Sequence, residues 1–87
     1  MYSLKIQDRA IRDLSSLDKH IAQRIVSRLN WFAENATSVK RESLTGDFSD
    51  YYKFRVGNYR ILYQIFDEKQ VIVVHRIGHR REIYRGK

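Results

Sequence analysis

Two groups of residues in the second half of the chain have the types and spacing to do chemistry: Lys53, Arg55 and Arg60, then the run Gly78-His79-Arg80-Arg81-Glu82-Ile83-Tyr84. A guanidinium presents permanently charged donors in a fixed fork that fits phosphate oxygens, and an ammonium adds a point charge beside it. Histidine, with an ordinary pKa near 6.5, can give or take a proton near neutrality, and tyrosine can orient a hydroxyl or stack on a base. Lys53, Arg55, Arg60, Arg80, Arg81 and Tyr84 can therefore line an electropositive surface able to hold a phosphodiester. The same residues admit plainer readings: a solvated sheet face for the three cations, an idle loop position for His79, and a core or lid aromatic for Tyr84.

Other chemistries have few residues to run on. Cysteine is absent, which removes disulfides, thiolate catalysis and zinc sites that depend on sulfur. His20, His75 and His79 have no close carboxylate or cysteine partners at ligand spacing, and His75 falls within an apolar strand, so no metal is expected. There is no nucleophile elbow for a serine and no glycine-rich phosphate loop, so no cofactor is expected either.

The elements that must carry these residues follow from hydrophobic period. Residues 2–7 alternate, with Tyr2, Leu4 and Ile6 on one side, as in a half-buried strand. From Asp8, a credible N-cap, the period lengthens: Ile11, Leu14, Leu17, Ile21, Ile25, Leu29 and Phe32 recur at helical spacing. Ser15, Ser16 and Asp18 interrupt the good helix formers with side chains that prefer to bond local backbone, so two helices should meet near 16–18 as a hairpin. Trp31 and Phe32 are assigned to helix packing. Residues 35–46 lose both periods and read as a connection, with a short turn of structure near Leu44.

Strands are expected at 51–56, 59–66 and 71–77, joined by turns at Gly57-Asn58 and at 67–70. Tyr52, Phe54 and Val56 share one face of the first of these, which puts Lys53 and Arg55 on the other. Tyr59, Ile61, Tyr63 and Ile65 form the core face of the next, so Arg60 points away from the helices and lies across from Lys53 and Arg55. Gly78 is expected to end the last strand and release the second reactive group. The fold class is α+β: an N-terminal strand, a helical hairpin, then a three-strand antiparallel meander. Together they form a twisted, largely antiparallel four-stranded sheet with the helices on one face.

A chain of 87 residues makes one domain, 1–87, because two cores would not fit. No apolar run approaches the roughly 20 residues that cross a bilayer, and the start has no signal-peptide core, so the expected location is the cytoplasm. The net charge of +7 is large for this length and predicts a polyanionic partner, nucleic acid or an acidic protein.

Lys53-Phe54-Arg55, Gly57-Asn58-Tyr59-Arg60-Ile61-Leu62-Tyr63 and Ile77-Gly78-His79-Arg80-Arg81-Glu82-Ile83-Tyr84 resemble the RelE branch of the RelE/ParE toxin superfamily. Leu44-Thr45-Gly46 and Leu17-Asp18-Lys19 are similar to that family as well. The resemblance implies the toxin of a type II toxin-antitoxin system: a metal-independent, ribosome-dependent endoribonuclease that cleaves mRNA in the A site and inhibits translation. Attack by a 2′-hydroxyl on the adjacent phosphate would leave a 2′,3′-cyclic phosphate. The partners it implies are the ribosome, its mRNA and an acidic, RelB-like antitoxin laid as an amphipathic helix over the basic surface.

Matched by motif, Lys53, Arg60, Arg80 and Tyr84 stand at positions that act in the family, and Arg55 stands where a lysine often does. His79 is a candidate general acid, with Arg80 as competitor. Arg81 joins Arg55 and Lys53 in RNA binding, and it is also an alternative alignment for Arg80. Two other readings remain at this point: a ParE-like toxin that inhibits DNA gyrase without nuclease activity, and a nonenzymatic nucleic-acid-binding module.

Overall fold

The switch from alternating to helical period sets the first half of the chain. In the computed structural model, which describes residues 1–44 and 50–83, Ser3–Ile6 forms strand β1, followed by helices α1 (Asp8–Ser15) and α2 (Lys19–Glu34). The serines between the helices behave as their chemistry requires. Ser15 Oγ donates to Arg12 O at 2.9 Å and Ser16 Oγ to Asp13 O at 2.8 Å, so hydroxyls take up carbonyls at the end of α1 and the helix stops. Asp8 is not the N-cap. Gln7 holds that position in an extended conformation, its N–H still bonded to Val74 O, so α1 starts directly at the sheet edge. Asp8 instead occupies the first turn, where its carboxylate suits the positive end of the helix dipole.

The second half is strands: β2 (Glu42–Ser43), β3 (Tyr52–Val56), β4 (Tyr59–Phe66) and β5 (Val71–His79). The sheet order is β1-β5-β4-β3-β2, antiparallel except for β1, which lies parallel to β5 with Ser3 opposite Val71. The α+β class and the meander are as expected, but among the described residues the sheet has five strands and not four. β2 is only two residues long and pairs with β3 through Glu42 and Lys53, too brief to show any period in the sequence. Nor does Gly78 end the last strand: β5 continues through it to His79, which pairs with Tyr59.

Both helices contribute to one core. Ala10, Ile25, Leu29, Phe32 and Ala33 pack on Phe54, Val56, Ile61, Tyr63, Ile72, Val74 and Ile77. Phe32 stacks on Phe54 with ring centroids 4.7 Å apart and meets Tyr63 edge-on at 4.9 Å. Its neighbour Trp31 does not share this packing. A helix turns adjacent residues well away from each other, so Trp31 is 42% exposed and carries the Arg28 guanidinium 4.5 Å above its ring.

Tyr2 and Arg41 clasp the far end of the sheet through Asp67. The Tyr2 hydroxyl donates to Asp67 Oδ1 at 2.8 Å, and Arg41 donates to both carboxylate oxygens, at 2.7 and 3.0 Å. The Arg41 hydrogen bonds, then that of Tyr2, hold the Asp67 carboxyl below its ordinary range. Because Arg41 immediately precedes β2, the clasp also fixes where that strand starts.

One core group is left wanting. The Tyr63 hydroxyl is buried with no hydrogen-bond partner among the described residues, and burial pushes its pKa up to about 12. An unsatisfied buried donor costs stability, so Tyr63→Phe should stabilise the fold by about 1 kcal/mol. For a domain of this size that is a rise of roughly 4–8 °C in Tm by circular dichroism. A melting point that falls would show that the hydroxyl has a partner.

Candidate nucleic-acid interface

β3 and β4 build the floor of the site. Gly57 turns the chain at φ +60, a left-handed conformation that costs glycine little, and this tight turn sets the register of the hairpin. Arg55 lies opposite Arg60 and Lys53 opposite Leu62; β5 continues the two rows with Gly78 beside Arg60 and Arg76 beside Leu62. Cross-strand partners share a face. Phe54, Val56, Ile61 and Tyr63 are committed to the helix-side core, so Lys53, Arg55 and Arg60 lie together on the opposite face, as the alternation predicts.

Arg60 is held rather than loose. Its Nη1 donates to Gly57 O and to Tyr59 O, both at 3.1 Å, which fixes the guanidinium over the hairpin turn. Arg60 Nε and Nη2 bond to none of the described residues and remain able to donate to a ligand. Arg55 sits 3.7 Å from Glu42, with both side chains about half exposed. Such a pair contributes roughly 1 kcal/mol at most, so a phosphate can displace the carboxylate. Glu42 is the acidic neighbour of Lys53 and Arg55 that the sequence did not reveal, because it reaches the basic face through the two-residue β2.

The second reactive group is folded tightly against the first. Arg80 N donates to Asn58 O at 2.8 Å, tying the turn after β5 to the turn between β3 and β4. Glu82 N and Ile83 N both donate to His79 O, at 2.8 and 2.9 Å, and bring Ile83 back over Gly78. A Cβ on Gly78 would approach Ile83 Cδ1 to 3.0 Å, so the glycine leaves room for a side chain that is itself buried. Gly78 is there for close packing, not to stop the strand.

His79 lies differently from the other candidates. It pairs with Tyr59, so it falls on the opposite side of β5 from Gly78 and Arg60, and its ring stands edge-on to Tyr59 at 5.5 Å. Its Nδ1 accepts the Arg81 N–H at 3.2 Å, leaving the Nε2–H as the donor that can reach a ligand. The fold thus gathers Lys53, Arg55 and Arg60, anchors the backbone of Arg80 beside them, and sets His79 around the end of the strand. Arg80 and Arg81 are exposed. Tyr84 lies outside the described residues.

Two more groups emerge only from the structure. Asp13 Oδ2 accepts from Arg76 Nε and from Ile77 N, both at 2.9 Å. β1 pairs with β5 only as far as Val74, so the Asp13 carboxylate does for Ile77 N what the next residue of a longer β1 would have done. The other group is His75. Leu62 pairs with Arg76 but Tyr63 pairs with Val74, so His75 is the extra residue of a β-bulge. It is not in the apolar core where its strand suggested; its Nε2 lies 2.8 Å from Gln64 Oε1 and its ring 4.9 Å from Tyr51.

Burial holds the His75 pKa below the ordinary 6.5. In the fold it stays neutral where the unfolded chain would take a proton, so its stabilising share is present above 6.5 and is lost as pH falls from there through its folded value. The urea midpoint should therefore decline as the pH is lowered below about 6.5, and His75→Gln should flatten that decline. An identical slope in the variant would assign the acid sensitivity to other groups.

Comparison with known proteins follows the same outline. Residues 4–84 match the family described as "ParE toxin of type II toxin-antitoxin system, parDE". Toxin RelG of Mycobacterium tuberculosis is 35% identical, with 97% of each chain covered. A putative RelE-like toxin protein of Escherichia coli is 31% identical over 91% of this chain and 83% of its own. Among solved structures, the toxin-antitoxin complex RelBE2 of Mycobacterium tuberculosis superposes with a TM-score of 0.80 at 28% identity, covering 90% of this chain and 96% of the other.

Proposed function

The chain belongs to the ParE toxin family of type II toxin-antitoxin systems as a RelE-type toxin, and from that membership we propose that it is a metal-independent endoribonuclease that cuts mRNA in the ribosomal A site and so inhibits translation. The observation that carries this reading is the open sheet face, where Arg60 is braced on the hairpin turn among Lys53, Arg55 and the anchored backbone of Arg80. A toxin that only bound a protein partner would have no need of an arginine braced on the hairpin turn beside further cations.

In the proposed reaction, the 2′-oxygen of one nucleotide attacks the adjacent phosphorus and the bond to the 5′-oxygen breaks. The products are a 2′,3′-cyclic phosphate and a 5′-hydroxyl. One proton leaves the 2′-oxygen and one reaches the 5′-oxygen, so the step balances without an added reagent. Arg60, Arg80 and Lys53 stabilise the charge that builds on the phosphoryl oxygens, and such electrostatic stabilisation is usually the greatest single source of rate in a site of this kind. Arg55 and Arg81 hold flanking phosphates.

Tyr84 orients the attacking hydroxyl or takes its proton. His79 in its imidazolium form, in which Nδ1 carries a proton and releases the Arg81 N–H, returns a proton from Nε2 to the leaving oxygen; a guanidinium, which keeps its proton at neutral pH, is the poorer donor. An acidic, RelB-like antitoxin covers the basic face. The Glu42–Arg55 contact is a small instance of a carboxylate seated on that face. Among the described residues no helix is long and apolar enough to cross a membrane, and the proposed reaction belongs in the cytoplasm, where ribosomes are.

The test is primer extension on a defined mRNA with purified translating ribosomes and a ribosome-free control. Cleavage within the A-site codon that requires ribosomes is the expected result. A message left intact on ribosomes would overturn the nuclease, and inhibition of gyrase supercoiling would then be the assay for a ParE-like action.

A further inference from the structure

The open face carries a second constellation, made of different residues from those that grip phosphate. Tyr51 precedes β3, Gln64 lies in β4 and His75 bulges from β5, so three neighbouring segments of the sheet contribute one side chain each. The Tyr51 and His75 rings meet at 4.9 Å with their planes tilted 45°, and His75 Nε2 bonds Gln64 Oε1 at 2.8 Å. All three are partly exposed, and none belongs to the helix-side core. Their neighbours Leu62 and Val73 are buried yet also stand outside that core, which gives this face an apolar floor.

We propose that Tyr51, Gln64 and His75 form a nucleobase subsite, which reads a base of the bound RNA away from the phosphate being cut. The inference rests on the endoribonuclease reading and adds a source of sequence preference to it. Three features fit a base better than a phosphate or a peptide carboxylate. No cation belongs to the cluster. Two rings present π-surface, and aromatic stacking is the general grip on single-stranded RNA.

The third feature is the polarity of the cluster. A neutral His75 that donates from Nε2 to Gln64 Oε1 leaves the Gln64 amide N–H groups as donors and His75 Nδ1 as an acceptor. A donor beside an acceptor is what the edge of a base requires. The bulge explains how the histidine comes to be there: one extra residue in β5 turns His75 out of the regular ladder, a device often found beside functional sites. His75 and His79 are four residues apart on β5, roughly 13 Å at strand rise, so the base read here belongs to a neighbouring nucleotide.

The test compares wild type, Gln64→Leu and Tyr51→Leu on ribosomes programmed with mRNAs that differ only in the A-site codon, together with anisotropy of a short labelled single-stranded RNA bound to the free protein. Gln64→Leu should change the ratio of cleavage rates between best and worst codons by about tenfold or more, the scale of one lost base contact. Tyr51→Leu should weaken binding of the labelled RNA by roughly ten- to hundredfold through lost stacking. If wild type binds the RNA but cuts nothing, the nuclease reading fails while loss of binding in Tyr51→Leu still supports the subsite. Unchanged codon ratios in Gln64→Leu together with unchanged RNA binding in Tyr51→Leu would overturn it, whatever happens to Tm. So would variants that weaken only the binding of an acidic antitoxin peptide, which would make the cluster a protein contact.

Discussion

Arg60→Ala should slow A-site cleavage by roughly 10²–10³-fold, the loss seen when one preorganised donor is removed from a charge-stabilising site. The expectation rests on how the side chain is held. With Nη1 fixed on Gly57 O and Tyr59 O, the guanidinium does not have to be ordered when the phosphate arrives, so most of its electrostatic attraction is available in the transition state. Arg60→Lys keeps the charge but loses the fork and its brace, and should recover only a small part of the rate. Stability should move little, because the two bonds lost are local to a turn and neither is fully buried. Single-turnover cleavage measured beside a thermal melt separates the two effects. A variant that melts like wild type and still cuts within tenfold of it would remove Arg60 from the reaction.

Asp13→Ala should be the most damaging substitution to the fold among those that touch no core side chain. The carboxylate is only 16% exposed and accepts from both Arg76 Nε and Ile77 N. Removing it takes the partner from a strand N–H that β1 does not reach, and takes a charged acceptor from Arg76. A loss of about 2–3 kcal/mol is expected, scaled to a hydrogen bond with a charged group and a stranded donor. At this chain length that corresponds to a drop in Tm of roughly 10–20 °C. Asp13→Asn keeps an oxygen for Ile77 N and should fall between the two. Because β5 leads straight from Ile77 to His79 and Arg80, cleavage at 37 °C should decline along with stability. A melting point within a few degrees of wild type would mean that the end of β5 is held by other contacts.

Whatever depends on local period is legible in the sequence. The alternation through Lys53-Phe54-Arg55 and Arg60-Ile61 is enough to place three cations on one face, and the serines at 15 and 16 are enough to break the helix. What depends on pairing between distant segments is not legible. β2 has no period to detect because it is two residues long. His75 reads as one more residue of an apolar strand since nothing in Val73-Val74-His75-Arg76 announces a bulge; the shift is visible only against Leu62 and Tyr63 of the neighbouring strand. Gly78 reads as a stop signal for a similar reason, because its real constraint comes from Ile83 folding back over it. Asp13 and Glu42 escape notice because a carboxylate on a helix or in a connection looks like ordinary surface until the strand that it serves is placed beside it.

The parallel pairing of β1 with β5 has a consequence for how such a protein is made. Ser3 through Ile6 are translated long before their partners Val71 through Val74, and Arg80 comes later still. A contact of such long sequence separation cannot form until its second strand has been made, and topologies of this kind close late. The interior of the sheet and the cation cluster at its end are therefore among the last parts of the fold to be completed. A toxin of this fold would in this way stay inactive while it is being made, and a newly made antitoxin would have the interval before closure in which to reach it.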